Sequence, residues 1–305
     1  MSQTLQYATI DGKGIYLECI VPETATKEKK APIMIYIHGG GCLQGTRLGF
    51  PHHWASAPAK HGLCAISPDY RLAPQARMPA ILEDCANFMA YLRSADFEKA
   101  TQGRVDSSRI CLGGGSAGGW LALLTGMGIG FEACGLKTPA PPTSIAAMYP
   151  ITDLNDPFWH TKQHPVSYWP RVIPAEEMTE HLDPKAPVLF ESALDSKRAQ
   201  CYPYMLQEAI LENLLLDGTG IPPSSFCVAA AIKAGKCHTP TTYVTHGTAD
   251  DRVPIVQADD VVDALKAKGA QVEYERIDGI NHLFDRELDR DMDGMYSFAK
   301  MTLGM

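Results

Sequence analysis

The stretch RICLGGGSAGGW, with Ser116 near its centre, constrains this chain more than any other. A short apolar run, Ile110 to Leu112, reads as a buried strand. It enters Gly114-Gly115-Ser116-Ala117-Gly118 and then Trp120 to Leu124, which reads as a helix. A serine on a sharp bend between strand and helix is the nucleophile elbow. The bend forces the serine into a strained backbone region and brings backbones close, so glycines must flank it. Its hydroxyl then stands above the sheet at a helix N-terminus, where developing negative charge is favoured. The bland reading is a glycine-rich turn that happens to hold a serine, and the pentapeptide alone does not exclude it.

A nucleophile needs a base, a group to orient the base, and donors for an oxyanion. Upstream, Ile33 to Ile37 reads as a strand and ends in His38-Gly39-Gly40-Gly41. Glycines after a strand let backbone N–H groups turn toward a substrate oxygen. The amides of Gly40, Gly41 and Ala117 are therefore the expected oxyanion hole. Downstream, the strand Thr241 to Thr245 leads into HGTADDRVP, which carries Asp250. The strand Val272 to Ile277 leads into GINHLF, which carries His282. The register of the first motif selects Asp250 over its neighbour Asp251 as the orienting acid. Each candidate follows a strand, where open α/β sheets place their sites.

The order Ser116, Asp250, His282 is that of the α/β-hydrolases. The chain resembles the hormone-sensitive-lipase-like esterases of that superfamily, the fold-3 type. The matching stretches are HGGGCLQG from His38, PDYRLAPQARMPAILEDC from Pro68, VDSSRICLGGGSAGG from Val105, HGTADDRVP from His246 and GINHLF from Gly279. The run Tyr70 to Pro74 with the downstream pair Glu83-Asp84 is the most selective of them. The resemblance implies a serine carboxylic-ester hydrolase that works through a Ser116–His282–Asp250 triad and needs no cofactor. Two departures stand out. The group carries an aspartate just before its nucleophile, and this chain carries Gly115, so the packing at the elbow must differ. About thirty residues precede the first core strand pair, too few for the helical N-terminal cap common in that group.

Alternating strands and helices predict a mostly parallel central sheet with helices on both faces. We expect the hydrolase core in residues 1–153 and 239–305. Residues 154–238 break the rhythm and are rich in Trp, Pro, Tyr and Met, so we expect an inserted, mostly helical cap with Tyr202 to Leu216 as its clearest helix. Clustered aromatics can be a cap's own small core or the wall of an apolar pocket. Trp159, Tyr168 and Trp169 are the pocket candidates from this segment. Cys42 and Leu283 join them because each adjoins a functional residue. The pass also predicts helices over Pro79 to Arg93 and Ile255 to Lys268, and a C-terminal helix from about Leu288.

Composition limits the partners. The chain has 305 residues, 45% of them hydrophobic, which is ample for a core. A net charge of −8 argues against nucleic acid or an anionic membrane as partner. No apolar run is long enough to span a bilayer, and no signal peptide is evident. Nine cysteines are scattered without metal-ligand spacing. We therefore expect a cytoplasmic enzyme acting on a small-molecule ester, without metal, with a homodimer left open. Asp289 to Asp293 mimics the start of a calcium loop, but Lys300 stands where a bidentate glutamate is needed. His38 reads as a buttress of its glycine loop, and His52, His53 and His61 as surface or satisfied core groups. Two other functions stay open. One keeps the triad for a thioester, an amide or acyl transfer in a biosynthetic pathway. The other is a ligand receptor on a hydrolase scaffold, which the intact triad disfavours.

Overall fold

The computed structural model of the chain describes residues 2–193 and 195–305. Eight strands form one sheet: β1 (Ser2–Ile10), β2 (Lys13–Ile20), β3 (Ala31–Ile37), β4 (Cys64–Pro68), β5 (Val105–Gly115), β6 (Ser144–Met148), β7 (Thr241–Gly247) and β8 (Val272–Ile277). Their order is β1-β2-β4-β3-β5-β6-β7-β8. The pairs β1–β2 and β2–β4 are antiparallel, and every pair from β4 to β8 is parallel. The β1–β2 hairpin occupies the residues ahead of the parallel core. β1 was not legible as a strand because it is an edge strand, half exposed, whose residues alternate without a strongly apolar face.

The central strands are short apolar runs, as strands covered on both faces must be. β3 shows how the alternation is used. Ile33, Ile35 and Ile37 face one core with Ile81, Leu82 and Leu121, while Met34 and Tyr36 face the other with Trp54, Met148 and Tyr296. Among the described residues ten α-helices connect and cover the strands: α1 (His52–His61), α2 (Met78–Tyr91), α3 (Ala95–Ala100), α4 (Ala117–Met127), α5 (Ala175–Leu182), α6 (Cys201–Glu208), α7 (Leu211–Leu216), α8 (Val228–Ala234), α9 (Val256–Ala267) and α10 (Asp293–Thr302). Residues of α1 and α10 pack on the Tyr36 face, and those of α2 and α4 on the Ile35 face. This is the mostly parallel α/β architecture that the sequence predicts. Among the described residues no helix is long and apolar enough to cross a membrane.

Two expected helices differ. Residues 202–216 form α6 and α7 rather than one helix. Ala209 adopts a left-handed conformation (φ 56°), and its N–H and that of Ile210 turn back to the Met205 carbonyl. The break lets α7 bury Leu211, Leu214 and Leu215, a packing gain that periodicity cannot report. The C-terminal helix starts at Asp293 and not near Leu288, which is 82% exposed, because left-handed Met292 (φ 55°) caps it. The segment between β6 and β7 otherwise consists of short helices and turns.

Candidate active site

β5 ends at Gly115 and α4 begins at Ala117, so Ser116 alone makes the turn, with φ 59° and ψ −124°. A β-carbon in that region costs on the order of 1–3 kcal/mol and persists only where the surroundings hold it. Here the Ser116 N–H donates to the Met148 carbonyl at 2.9 Å, tying the elbow to β6.

Gly115, where the resembled group has aspartate, has a physical reason. A β-carbon there would lie 2.8 Å from the Tyr149 hydroxyl and about as close to its ring. The phenol of Tyr149 fills the space, donates to the buried carboxylate of Asp285, and sets its ring 4.4 Å from the His282 ring. The side chain of Tyr149, bonded to Asp285, thus stands where a side chain of the elbow would begin.

Asp250 follows β7, and its carboxylate is fully buried. Oδ1 accepts the backbone N–H groups of Arg252 and Val253, both at 2.9 Å. Oδ2 lies 2.6 Å from Nδ1 of His282 and 3.1 Å from Nε2 of His246. Burial alone would raise this carboxyl, but the two histidines outweigh it and hold it well below the usual carboxylate range. Asp251 turns elsewhere: its N–H donates to Asn281 and its carboxylate accepts from Ser167. His246 is a second partner of Asp250 that the motif reading did not assign, although it opens the motif HGTADDRVP.

His282 follows β8, and its side chain is 4% exposed. Burial lowers its pKa below the ordinary histidine value and outweighs the opposite pull of Asp250. The ring is therefore neutral at neutral pH. With Nδ1–H given to Asp250, Nε2 is free to accept a proton. Ser116 and His282 line one cavity. Among the described residues no hydrogen bond joins them, a looseness common in unliganded sites.

In the glycine loop, Gly40 and Gly41 take φ values of 99° and 65°, which side chains other than hydrogen rarely adopt. The N–H groups of Gly40, Gly41 and Ala117 have no acceptor among the described residues. Gly40 lines the cavity, and Gly41 lies so close to Tyr202 that a β-carbon would come within 2.7 Å of its ring. His38 stacks on Tyr70 at 4.2 Å, and its Nδ1 lies 2.9 Å from the Gly39 carbonyl. Burial pushes its pKa down to about 4, so its ring is neutral and holds the loop.

The cavity has a volume of about 250 Å³. Leu283 lines it, but the other expected pocket residues do not. Cys42 is wholly buried, and its carbonyl accepts from Ala73. Trp159 is buried among apolar neighbours and donates to the Asp153 carbonyl at 2.9 Å. Tyr168 stands behind Arg252, whose guanidinium lies 4.2 Å above its ring. Trp169 borders a separate surface hollow with Arg171 and Lys197. Residues that line the cavity, and that sequence reasoning missed, include Tyr36, Gln44, Thr46, Tyr202, Arg252 and Arg286. Arg252 and Arg286 lay in plain view, two residues after Asp250 and four after His282, but nothing in the sequence tells which way they turn. Among the described residues no group of three metal-ligating side chains gathers.

The BD-FAE family model matches residues 17–170, just over half of the chain. The chain belongs to the BD-FAE family. The prolyl oligopeptidase family model matches residues 205–305. The BD-FAE match contains the glycine loop and Ser116, and the second contains Asp250 and His282. Among solved structures, an α/β-hydrolase superfamily protein from Enterococcus faecalis is similar over 100% of this chain and 98% of its own, with a TM-score of 0.72 and 20% identity. A thermophilic esterase from Thermogutta terrifontis is similar over 99% of this chain and 91% of its own (TM-score 0.64, 20% identity). This BD-FAE chain is thus an esterase-like α/β-hydrolase in fold.

Curated relatives include the non-reducing polyketide synthase ausA of Aspergillus calidoustus, 26% identical over 94% of this chain. Another is methylphloroacetophenone synthase of Cladonia uncialis, 25% identical over 84%. The chain spans only 13% and 11% of the length of these two relatives.

Proposed function

We propose that this chain is a serine hydrolase that cleaves carboxylic esters through an acyl-enzyme. The observation that carries the reading is the 2.6 Å bond from His282 Nδ1 to buried Asp250, in a cavity that Ser116 also lines. His282 Nε2 takes the Ser116 proton as the hydroxyl oxygen attacks the ester carbonyl. Asp250 fixes the imidazole tautomer and stabilises the imidazolium. The unpaired amides of Gly40, Gly41 and Ala117 receive the oxyanion, each such donor being worth about 3 kcal/mol. The imidazolium returns its proton to the leaving alkoxide, the alcohol departs, and water repeats the cycle to free the acid. The residues between β6 and β7 act as a cap, since Tyr202 from α6 lines the cavity and its hydroxyl donates to the Arg252 carbonyl at 3.0 Å. On this reading a small-molecule ester is the only partner the reaction needs besides water.

A second reading keeps the triad and changes the acyl donor to a thioester, with release or transfer of the acyl chain. The likeness to segments of polyketide synthases favours it. One experiment serves both. Purified protein and Ser116→Ala are assayed with 4-nitrophenyl esters from acetate to dodecanoate and with the matching acyl thioesters. Ser116-dependent release from oxygen esters supports the first reading. Release from thioesters alone supports the second. Turnover unchanged in Ser116→Ala overturns both.

A further inference from the structure

The charge lining the cavity has one sign. The chain carries 35 acidic and 27 basic side chains. Yet among the described residues the charged ones on the wall of this cavity, histidines aside, are Arg252 and Arg286, and no Asp or Glu lines it. Both arginines are only partly engaged. Arg286 donates from Nη2 to the Gly49 carbonyl at 2.6 Å and lies against the Tyr36 phenol, and its buried Nε has no partner among the described residues. The nearby Asp285 turns instead to Tyr149 and His53. The guanidinium of Arg252 donates no hydrogen bond among the described residues, and its Nε stands 4.0 Å from Asp251.

Other sheltered arginines of the same chain face carboxylates or carbonyls, although Arg47, like Arg252 and Arg286, keeps a buried Nε without a hydrogen-bond partner among the described residues. Arg47 pairs with Asp69 and Glu191, and Arg71 with Asp84 and Glu83. Arg198 gives four hydrogen bonds to three carbonyls of the backbone and to Gln75. A guanidinium carries five N–H donors, and leaving several unmet in a sheltered cavity costs free energy that an arriving anion recovers.

Resting on the ester- or thioester-cleaving reading, we propose that the substrate carries a carboxylate in addition to the bond that is cleaved, and that Arg286 and Arg252 receive it. Low-dielectric walls focus the field of the two cations and raise the local concentration of such a substrate. The size fits. A dry cavity of about 150 Å³ admits benzene, so the larger volume here holds a short dicarboxylic half-ester or a single carboxylated ring.

The test compares related esters with and without an added negative charge. 4-Nitrophenyl hydrogen glutarate is set against its methyl ester, which places the charge on the acyl side. 3-Carboxy-4-nitrophenyl butyrate is set against 4-nitrophenyl butyrate, which places it on the leaving group. In one of the pairs the anion is expected to have the higher kcat/KM by about ten- to a hundred-fold, the worth of one or two charge-assisted hydrogen bonds. That ratio is expected to fall toward one in Arg286→Gln and in Arg252→Gln. Arg286 touches the packed Tyr36 face, so Arg252→Gln serves alone if the first variant does not fold. No anionic preference in either pair, or a ratio that both variants leave unchanged, overturns the proposal.

Binding is read separately by calorimetry on Ser116→Ala. Glutarate is expected to saturate this variant, glutaramide to bind at least ten-fold more weakly, and addition of Arg252→Gln to remove the difference. Equal binding of the two overturns the proposal. If no ester or thioester is cleaved in a Ser116-dependent way, the catalytic reading fails while the calorimetry still decides the anion site.

Discussion

The loops at the ends of β5, β7 and β8 and the segment between β6 and β7 meet at the same cavity, but their residues are constrained in different ways. In the loops, Ser116 and Asp250 are tied by backbone geometry close at hand. Ser116 is the single residue between a strand and a helix, Asp250 accepts two N–H groups from residues within three positions of itself, and His282 receives its orientation from Asp250. In the segment, position is set by distant packing. Trp159 is buried in an apolar cluster shared with the core of the sheet, and Tyr202 reaches across to Arg252. Local ties leave a spacing in the sequence, and distant packing leaves only composition.

Substitutions can break or sharpen that contrast. The largest effect is expected in the loops. Asp250→Asn keeps the shape but removes the charge and favours the wrong tautomer of His282, so kcat is expected to fall by about 10⁴-fold with the melting curve little changed. The parent enzyme's activity is expected to decline with acid only below the ordinary histidine pKa. The base works as the neutral ring, and burial lowers the pH at which that ring becomes charged. A decline centred above pH 7 contradicts this (measured as kcat/KM against pH).

The segment is expected to answer in stability instead. Trp159→Ala removes a ring that is 1% exposed and is expected to cost about 3–5 kcal/mol in a denaturant titration. Folded molecules of that variant should keep the acyl-length preference of the parent, because Trp159 does not line the cavity. A changed preference would place that residue in the substrate pocket after all.

Tyr149 joins the two behaviours and gives the smallest expected effect. Tyr149→Phe leaves the shape at Gly115 intact and takes the hydroxyl from Asp285, at an expected cost of about 1–3 kcal/mol. An unaltered unfolding midpoint would show that the pair holds nothing.

The legibility of the molecule follows the same division. The sheet, the elbow, and the strands that deliver Asp250 and His282 were readable because apolar runs and glycines record local demands. β1 was not, since an edge strand has one ladder and little burial to imprint on its sequence. The break at Ala209 was not, since alanine and leucine favour a continuous helix and only the burial of α7 overrides them. The cavity wall was least legible. Trp159, Tyr168 and Trp169 look like a pocket by composition, whereas the wall draws Tyr36, Tyr202, Arg252 and Arg286 from four separate segments. Gly115 was visible as a departure, but its cause was not, because Tyr149 lies 34 positions away in sequence and meets it only in the fold.

The most direct test is covalent labelling with a fluorophosphonate followed by peptide mass mapping. The account predicts one adduct per folded chain, on Ser116, absent in Ser116→Ala and formed far more slowly in Asp250→Asn. An adduct on another residue, or a folded chain that takes no label, would contradict it.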